Sequence, residues 1–358
     1  LDPDDVVMMQ YTSGTTGYPK GVMLTHRNLI GNGQSMAEIM ALTPEDCLCI
    51  PVPLFHCFGC VIGTMCCMVS GATMAPVTAF QAKTVLGTVD ALKCTALHGV
   101  PTMFIAELEE MEQGSYDTSR LRTGVMAGST CPIEVMNGVI NKMGAKELTI
   151  VYGQTESSPG ITQTRRDDPL KIRTETVGRA LPNVEVMIKD PATGEALPPG
   201  ETGELCSRGY HIMKGYYKMP EKTAETIDSD GWLHTGDLAS MDEQGNCTIQ
   251  GRLKDMIIRG GENIYPREIE EFLYTHEQVK DAQVVGIPSR KYGEEVAAFI
   301  QMKNGSAFSE EDIRAFCKDN IAYYKIPRYI YFVDEFPTTA SGKIQKYKLR
   351  EMVSENSN

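Results

Sequence analysis

Short apolar runs alternate with helix-like stretches over the first 150 residues, and this alternation limits the possible folds more than any other feature. The runs VVMM, CLCIPV, ATMAPV and ELTIVY are typical of short buried strands. Residues 26–40 and 132–143 have helical character, and Cys131-Pro132 opens the second stretch. Strands that alternate with helices favour a mostly parallel sheet. We therefore expect an α/β lobe over residues 1–175.

The rest of the chain has a different character. Over residues 176–253, the strand-like segments VEVMIKD, GELCSRG and NCTIQGR are separated by Pro- and Gly-rich turns, which predicts a small antiparallel β unit. Residues 254–358 predict a compact α+β domain. Its helices are PREIEEFLYTH and a segment that Ser309 caps, its strands are DAQVVGIP, VAAFIQMK and IYFVDEFP, and TASGKIQKYKLR reads as a basic tail broken by glycine. The predicted fold class is α/β plus α+β.

Composition narrows the possible partners. The chain has 358 residues, 42% of them hydrophobic, and a net charge of −13. Such an acidic surface argues against nucleic acid or an anionic membrane as a partner. The longest apolar stretch, residues 57–69, is too short and too polar to span a bilayer. The sequence leaves a monomer and a homodimer open.

Eleven cysteines require an interpretation, and six of them lie between residues 47 and 67. Cys57 and Cys60 form a C-x-x-C next to His56, but no second pair with matching spacing follows, as a zinc site would require. We therefore expect cysteines that behave as small buried hydrophobic residues in a reducing cytoplasm. The chain begins with Leu1 and shows no signal peptide, so we expect a processed or cut end.

The segment YTSGTTGYPKGV at residues 11–22 combines glycines, hydroxyl side chains and a lysine. Such a segment is either a surface loop or a cradle for an anion, in which backbone N–H groups and hydroxyls surround a phosphate. It is not the common phosphate loop G-x-x-x-x-G-K-[ST], because Pro19 precedes Lys20 and Gly21 follows it. The segment alone leaves both interpretations open.

Four further clusters could bind a nucleotide. In VYGQTESS, Tyr152 could stack on a base and Glu156 could bind Mg²⁺. In DGWLHTGDLA, Asp237 could accept hydrogen bonds from ribose hydroxyls. The third cluster, GRLKDMIIRGGENIYP, contains Arg252, and the fourth, ASGKIQK, contains Lys343. Each cluster also has an ordinary interpretation: a loop carboxylate, a turn aspartate, the charged flanks of a strand, or a solvated tail.

Taken together, these segments resemble one family. The stretches YTSGTTGYPKGV, PLFHCFG, AGST, VYGQTE, WLHTGD, GRLKDMIIRGGENIYPREIE and TASGKIQK occur in the order found in the adenylate-forming superfamily, and most resemble its AMP-forming acyl-CoA synthetases. The resemblance implies a large AMP-binding domain, truncated at its start, that comprises 1–175 and 176–253. A mobile C-terminal domain, 254–358, would follow a hinge at Lys254. Family members usually carry a long further segment ahead of the first loop, so we expect a fragment.

The resemblance also implies roles for particular residues. Lys343 would be the catalytic cation, with His56 and Glu156 as further catalytic residues, and Glu156 and Thr15 would bind Mg²⁺. Gly260 and Gly261 would contact coenzyme A. The residues implied to bind ATP or AMP are Thr12, Ser13, Gly14, Thr15, Thr16, Gly17, Lys20, Gly128, Ser129, Thr130, Tyr152, Gly153, Gln154, Thr155, Asp237 and Arg252. The acyl pocket would comprise Phe55, Phe58, Gly99, Val100 and Gly153.

The implied reaction is ATP-dependent conversion of a fatty acid to acyl-AMP and then to acyl-CoA, with Mg²⁺, ATP and coenzyme A taking part. Acetate-specific relatives have a tryptophan where this chain has Gly153, so we expect a medium- or long-chain acid; an aryl acid stays open. Two alternatives also stay open: an inactive nucleotide-binding fragment, and an adenylation module that loads a carrier protein.

Overall fold

The computed structural model describes residues 1–12, 19–128, 133–303, 309–338 and 344–355. The strands within these ranges are β1 (Val6–Thr12), β2 (Lys20–Thr25), β3 (Cys47–Ile50), β4 (Thr73–Pro76), β5 (Ala96–Gly99), β6 (Thr123–Ala127), β7 (Glu147–Gly153), β8 (Gly160–Gln163), β9 (Arg179–Ala180), β10 (Val184–Lys189), β11 (Gly203–Gly209), β12 (Gly215–Tyr216), β13 (Leu233–Met241), β14 (Cys247–Arg252), β15 (Ile257–Arg259), β16 (Glu262–Ile264), β17 (Val279–Ser289), β18 (Gly293–Met302) and β19 (Tyr329–Phe332).

The α-helices within the same ranges are α1 (His26–Met40), α2 (Cys66–Ser70), α3 (Ala82–Leu92), α4 (Pro101–Gln113), α5 (Ile133–Gly138), α6 (Leu170–Glu175), α7 (Pro220–Thr226), α8 (Pro266–Tyr274), α9 (Glu310–Cys317) and α10 (Lys346–Glu355). Two wider, π-helical segments, Phe58–Met65 and Val139–Met143, continue into α2 and from α5 respectively. None of the helices in the described ranges has the length and apolar character that a bilayer crossing requires.

The chain divides into two compact units. The larger unit contains the described residues of Leu1–Thr235 and Ala239–Ile249, and the smaller unit contains Gly236–Leu238 and the described residues from Gln250 onward. A large α/β part followed by a smaller α+β part confirms the predicted fold class.

A seven-stranded sheet in the order β4-β3-β5-β6-β7-β8-β9 forms the centre of the larger unit. The pairs from β4 to β7 are parallel, and β8 and β9 add antiparallel strands at one edge. Side chains alternate along the buried strands: Leu48 packs in one core cluster with Met36 of α1, and Cys49 packs in the other with Phe104 of α4. Helices therefore cover both faces of the sheet, as the strand–helix alternation predicts.

The run VVMM lies in a different sheet from the one we predicted. Strand β1 pairs antiparallel with β2, which in turn pairs antiparallel with β12. The prediction that this run joins the parallel sheet is therefore wrong. Only seven residues separate Thr12 from Lys20, and parallel pairing needs a crossover of about a dozen residues or more.

Strands β10, β11, β13 and β14 form a separate four-stranded sheet, with β10 and β11 antiparallel. Three of these strands lie within the segments that the sequence predicts to be strands. In the smaller unit, β16, β15, β18 and β17 are neighbours in that order, and β19 pairs parallel with β18. Ser309 caps α9, because its hydroxyl accepts a hydrogen bond from the Asp312 N–H at 3.3 Å, which confirms the predicted cap.

The C-terminal segment differs from the expected basic tail. Residues Lys346–Glu355 form helix α10, so the prediction of a basic tail broken by glycine is wrong for this part of the chain. Leu349 and Val353, four residues apart, are both buried and pack with Val285 and Phe299 of the sheet. One apolar stripe at helical spacing is enough to hold a helix that is otherwise rich in lysine and arginine.

Candidate functional site

The candidate site of the larger unit lies where the parallel strands end. β3 has β4 on one side and β5 on the other, so the order of strands reverses between β3 and β5. Ligands of open α/β sheets bind outside the carboxyl ends of the strands at such a reversal. Residues with predicted roles follow these ends: Phe55–Phe58 after β3, Gly99 and Val100 at the end of β5, Gly128 after β6, and Tyr152–Glu156 at the end of β7.

The turn after β7 is held by hydrogen bonds that fix the Glu156 backbone. The Gln154 N–H donates to Ser157 Oγ at 3.0 Å, and the Met213 N–H donates to the Glu156 carbonyl at 2.9 Å. Ser158 Oγ donates to the His211 carbonyl at 2.7 Å. The segment before β12 is thus attached to this turn at two points. The Glu156 side chain is buried, with 9% of the residue exposed.

Tyr216 connects Glu156 to Lys20. The Lys20 ammonium donates to Tyr216 Oη at 2.8 Å, and Tyr216 donates to Glu156 Oε1 at 2.7 Å. The ammonium also lies 4.1 Å from the centroid of the tyrosine ring. Tyr216 is in β12, directly opposite Val22 of β2, so its ring can reach the side chain at the start of β2. Sequence reasoning assigned Lys20 and Glu156 to the same ligand but missed Tyr216.

Thr12 is the last described residue before the Gly- and Thr-rich loop, and it lies opposite Lys20 in the hairpin. Its buried hydroxyl has no hydrogen-bond partner among the described residues. A buried hydroxyl in this state suits a site that gains a polar ligand. Ser13, Gly14, Thr15, Thr16 and Gly17 lie outside the described residues, as do Ser129, Thr130 and Lys343.

The segment after β3 contacts the turn after β7. Phe58 is buried and its ring centroid lies 5.6 Å from that of His98, whereas Phe55 is 81% exposed and its carbonyl accepts a hydrogen bond from Gln10. His56 Nδ1 accepts from the Phe58 N–H at 3.2 Å. Cys57 lies near Glu156, and burial raises the pKa of its thiol to about 12. Cys57 is therefore a neutral, buried group beside the site.

Two of the predicted pocket glycines are required by close packing. A Cβ atom at Gly153 would lie 1.8 Å from the Pro159 carbonyl oxygen, and one at Gly99 would lie 2.9 Å from the Phe104 ring. Contacts shorter than about 3 Å force a shift of the chain. Glycine at 153 therefore has a backbone reason as well as the acyl-tunnel reason inferred from the sequence, so replacing it would test both at once.

In the smaller unit, the predicted ribose ligands form a direct ion pair. Arg252 Nε lies 2.7 Å from Asp237 Oδ1; the side chains are 50% and 8% exposed, respectively. Lys254 lies in the adjacent single-turn helix Leu253–Asp255, and burial lowers its pKa. Asp255 pairs with Arg350 of α10 at 2.8 Å. The hinge role of Lys254 stays a prediction.

The glycine pair predicted to contact coenzyme A forms the turn between β15 and β16. Gly260 and Gly261 have φ values of +62° and +92°, a backbone conformation that favours glycine. The Gly260 N–H donates to the Tyr292 carbonyl at 2.8 Å, and the Arg259 guanidinium lies 4.4 Å from the Tyr292 ring centroid. A Cβ at Gly261 would contact nothing within 4 Å, so this turn has open space beside it.

One group of possible metal ligands occurs within the described ranges, and it does not include the C-x-x-C. His234 Nδ1 lies 2.7 Å from Glu204 Oε2 and 3.5 Å from Cys206 Sγ, and its Nε2 lies 3.4 Å from Asp228 Oδ2. Lys189 also contacts Asp228, at 3.2 Å. Because the imidazole already lies between two carboxylates and a cation is adjacent, we interpret this group as a hydrogen-bonded link between strands.

Comparison with known proteins gives consistent matches over the whole chain. Residues 1–217 match the AMP-binding enzyme family, and residues 268–343 match the AMP-binding enzyme C-terminal domain. YngI of Bacillus subtilis (strain 168), whose name provisionally assigns it to the acyl-CoA synthetases, is 62% identical over 99% of this chain and 65% of its own length. The mitochondrial medium-chain acyl-CoA ligase ACSF2 of Rattus norvegicus is 47% identical over 98% of this chain and 58% of its own length. The chain thus spans less than two thirds of these relatives.

Solved structures give the same picture of the fold. ATP-bound MatB from Rhodopseudomonas palustris superposes with a TM-score of 0.93 at 32% identity, covering 100% of this chain and 70% of that one. The o-succinylbenzoate coenzyme A synthetase MenE from Bacillus subtilis, solved with its acyl-adenylate intermediate, has a TM-score of 0.87 at 29% identity, covering 98% and 70%. The resemblance stated from the motifs is confirmed at the level of the family.

Proposed function

Because the chain belongs to the AMP-binding enzyme family, we propose that the full-length protein activates a fatty acid with ATP, first to acyl-AMP and then to acyl-CoA. One observation carries the proposal. Lys20 and Glu156 come from motifs assigned to the triphosphate and to its metal ion, and both contact the hydroxyl of Tyr216. A cation and a carboxylate from distant parts of the chain thus lie within reach of one ligand.

In the first half-reaction, a carboxylate oxygen of the acid forms a bond to the α-phosphorus of ATP, and pyrophosphate leaves with the electron pair of the broken P–O bond. Two unit charges about 4 Å apart repel by about 4 kcal/mol at an effective dielectric constant of about 20. Positive charge must offset this repulsion, and fixed charges supply much of the catalysis in such transfers. We propose that Lys20 acts on the leaving phosphates and that Lys343 acts on the attacking carboxylate and the α-phosphate.

The donor set near Glu156 fits Mg²⁺, which prefers oxygen ligands. Glu156 Oε1 accepts from Tyr216, and Oε2 has no hydrogen bond from a described residue. Thr15 is the second proposed ligand, by resemblance. When bound, Mg²⁺ neutralises phosphate charge. The carboxylate of Glu156 would hold the ion while the backbone bonds of its turn keep it in place.

In the second half-reaction, the thiol sulfur of coenzyme A bonds to the acyl carbon and the bond from that carbon to AMP breaks. The products are a thioester and AMP, and the thiol proton is released. We propose that Gly260 and Gly261 leave room for the pantetheine arm, which the open space beside Gly261 supports. Lys254 is the proposed hinge for the change between the two half-reactions.

A medium-chain acid is the substrate we favour. The name of the ACSF2 relatives supports this class, and the absence of a side chain at Gly153 is compatible with it.

The free thiols of the ten described cysteines support a reducing compartment, so we also propose a cytoplasmic location.

The test is pyrophosphate release by the full-length protein with acetate, octanoate, palmitate and benzoate, followed by addition of free coenzyme A or a carrier protein. We expect the highest kcat/KM with octanoate and transfer to free coenzyme A. Highest activity with benzoate or transfer to the carrier alone would replace the proposal by the corresponding alternative. Nucleotide binding by calorimetry without turnover on any acid would identify a nucleotide-binding protein that lacks activity.

The role of Lys343 is tested by separating the half-reactions. Lys343→Ala should slow octanoyl-AMP formation by about 10²–10³-fold, the usual effect of removing a group that stabilises transition-state charge. Thioester formation from preformed octanoyl-AMP should change by less than about threefold, since that step no longer contains the two anions. Lys348→Ala, at an exposed position of α10, is the matched control. Equal losses in both half-reactions would refute this role.

A further inference from the structure

The hydroxyl of Tyr216 separates a lysine and a glutamate that would otherwise be free to pair. An ammonium group only donates hydrogen bonds and an ionised carboxylate only accepts them, whereas a phenol does both. The observed order, from Lys20 to Tyr216 to Glu156, therefore has one direction, with contacts of 2.8 and 2.7 Å. Tyr216 is 3% exposed and Glu156 is 9% exposed, so little water competes for these bonds.

We propose that Tyr216 is a positioning residue for nucleotide activation: it keeps Lys20 and Glu156 from forming a direct ion pair and aims the Glu156 carboxylate at the metal ion. This inference rests on the proposed function. The tyrosine occupies Oε1 of Glu156, so Oε2 would be the atom that holds Mg²⁺. Lys20 can exchange its bond to the phenol for a bond to a phosphate without first breaking a buried ion pair, which would be costlier.

Tyr216 is placed by contacts that do not involve its hydroxyl. Its backbone N–H donates to Thr223 Oγ1 at 2.9 Å, and its strand pairs with β2 at Met23 and Val22. The Met213 N–H, three residues earlier in the chain, donates to the Glu156 carbonyl. The ring also packs with Val22 and Leu24. A phenylalanine at 216 should therefore keep the ring in place, together with its contact to Lys20, and remove only the hydroxyl.

The test is the Tyr216→Phe variant of the full-length protein, in the adenylation half-reaction with octanoate. We expect the Mg²⁺ concentration for half-maximal rate to rise about tenfold, and the Kd for ATP with Mg²⁺, measured by calorimetry without octanoate, to rise by a similar factor, as loss of a hydrogen bond to a charged group implies. The KM for octanoate should change by less than about twofold. A merely structural role would lower the amount of active protein and leave the dependence on Mg²⁺ unchanged.

Tyr210→Phe is the matched control. Tyr210 is a part-buried tyrosine of the same unit, and its hydroxyl contacts Ser35 Oγ at 2.7 Å and the Gly31 carbonyl at 3.1 Å. It should lose comparable stability and keep the wild-type dependence on Mg²⁺. If both variants shift this dependence equally, or neither does, the positioning role is wrong.

A double-mutant cycle with Glu156→Gln separates action through Glu156 from a local effect. If Tyr216 acts through Glu156, the effects of the two substitutions on the Mg²⁺ dependence should not add. Additive effects would overturn the inference and leave the proposed function intact. The proposed function fails in a different way, when the wild-type protein itself releases no pyrophosphate with any acid.

Discussion

The two units hold their candidate ligand-binding carboxylates in different ways. In the larger unit, Glu156 faces the neutral hydroxyl of Tyr216, although arginines pair with carboxylates elsewhere in that unit, as Arg122 does with Asp46 at 2.8 Å. In the smaller unit, Asp237 contacts the guanidinium of Arg252 directly at 2.7 Å. The first carboxylate is hydrogen-bonded to a neutral group, whereas the second is already paired with a cation of the protein.

Because of this difference, a ligand must replace different protein contacts in the two units. A metal ion at Glu156 need not displace a protein cation. A hydroxyl ligand at Asp237 would share the carboxylate with Arg252, whose side chain is half exposed. Ion pairs with exposed partners contribute about 0–1 kcal/mol to stability, so weakening this pair costs little. We therefore expect substitutions at Glu156 to change rate strongly and those at Asp237 to change mainly affinity.

The largest expected effect is that of Glu156→Gln. The amide oxygen can still accept from Tyr216, so the fold should be kept, but the negative charge is lost. We expect pyrophosphate release to slow by about 10²–10³-fold, as for removal of one charge-positioning group. Glu185→Gln, an exposed carboxylate paired with Arg208 at 2.8 Å, is the control. A loss below about threefold at Glu156 would mean that the two units do not differ as proposed.

Sequence reasoning assigned Lys20 and Glu156 to one ligand through the resemblance of their motifs to the adenylate-forming superfamily, and both residues contact the hydroxyl of Tyr216. It could not find Tyr216, because the contact depends on the pairing of β12 with β2, and 196 positions separate Tyr216 from Lys20. The same limitation explains the error for VVMM: an apolar run indicates a strand, but only the short connection to Lys20 indicates its partner. The helix at 346–355 was missed because Leu349 and Val353 alone carry its apolar stripe.

A second buried carboxyl of the larger unit, Glu107, tests what happens when such a group has no hydrogen-bond partner among the described residues. Glu107 on α4 is fully buried, and neither of its oxygens has a hydrogen-bond partner among the described residues. Burial raises its pKa well above the ordinary value, which favours the protonated, neutral form. The sequence carries a signal for it, since Glu107 follows buried Phe104 at helical spacing.

Glu107→Met should raise the free energy of unfolding by about 1–3 kcal/mol near neutral pH, because an unpaired buried polar group is replaced by an apolar one of similar length. The control is Glu109→Met, at an exposed position of the same helix, which should change stability by less than about 0.5 kcal/mol. Urea unfolding of both variants checks this. A destabilised Glu107→Met would indicate that the carboxyl has a partner that stabilises it.

The difference in stability between Glu107→Met and the wild type should depend on pH. A carboxyl with a raised pKa in the folded state holds its proton more tightly there than in the unfolded state. This proton binding favours folding in full below the unfolded pKa of about 4.3, and the contribution is lost as pH rises toward the folded pKa. The stability advantage of Glu107→Met should therefore grow as pH rises above about 4.3. An advantage that is constant over this range would show that Glu107 has the same pKa in both states.

The smallest effect is expected at the ion pair of the smaller unit. Asp237→Asn keeps an oxygen for a ribose hydroxyl but weakens both that bond and the pair with Arg252. We expect the KM for ATP to rise by about tenfold or less with kcat nearly unchanged, since the interaction is the same in the ground and transition states.

Asp168→Asn is the control, matched in chemistry and burial, because Asp168 pairs with Arg179 at 2.9 Å and its side chain is 10% exposed. Both variants should lose about 1 kcal/mol of stability or less, and only Asp237→Asn should raise the KM. A fall in kcat as large as that of Glu156→Gln would mean that Asp237 contacts the reacting groups. The two carboxylates would then no longer differ, one in its effect on rate and the other in its effect on affinity.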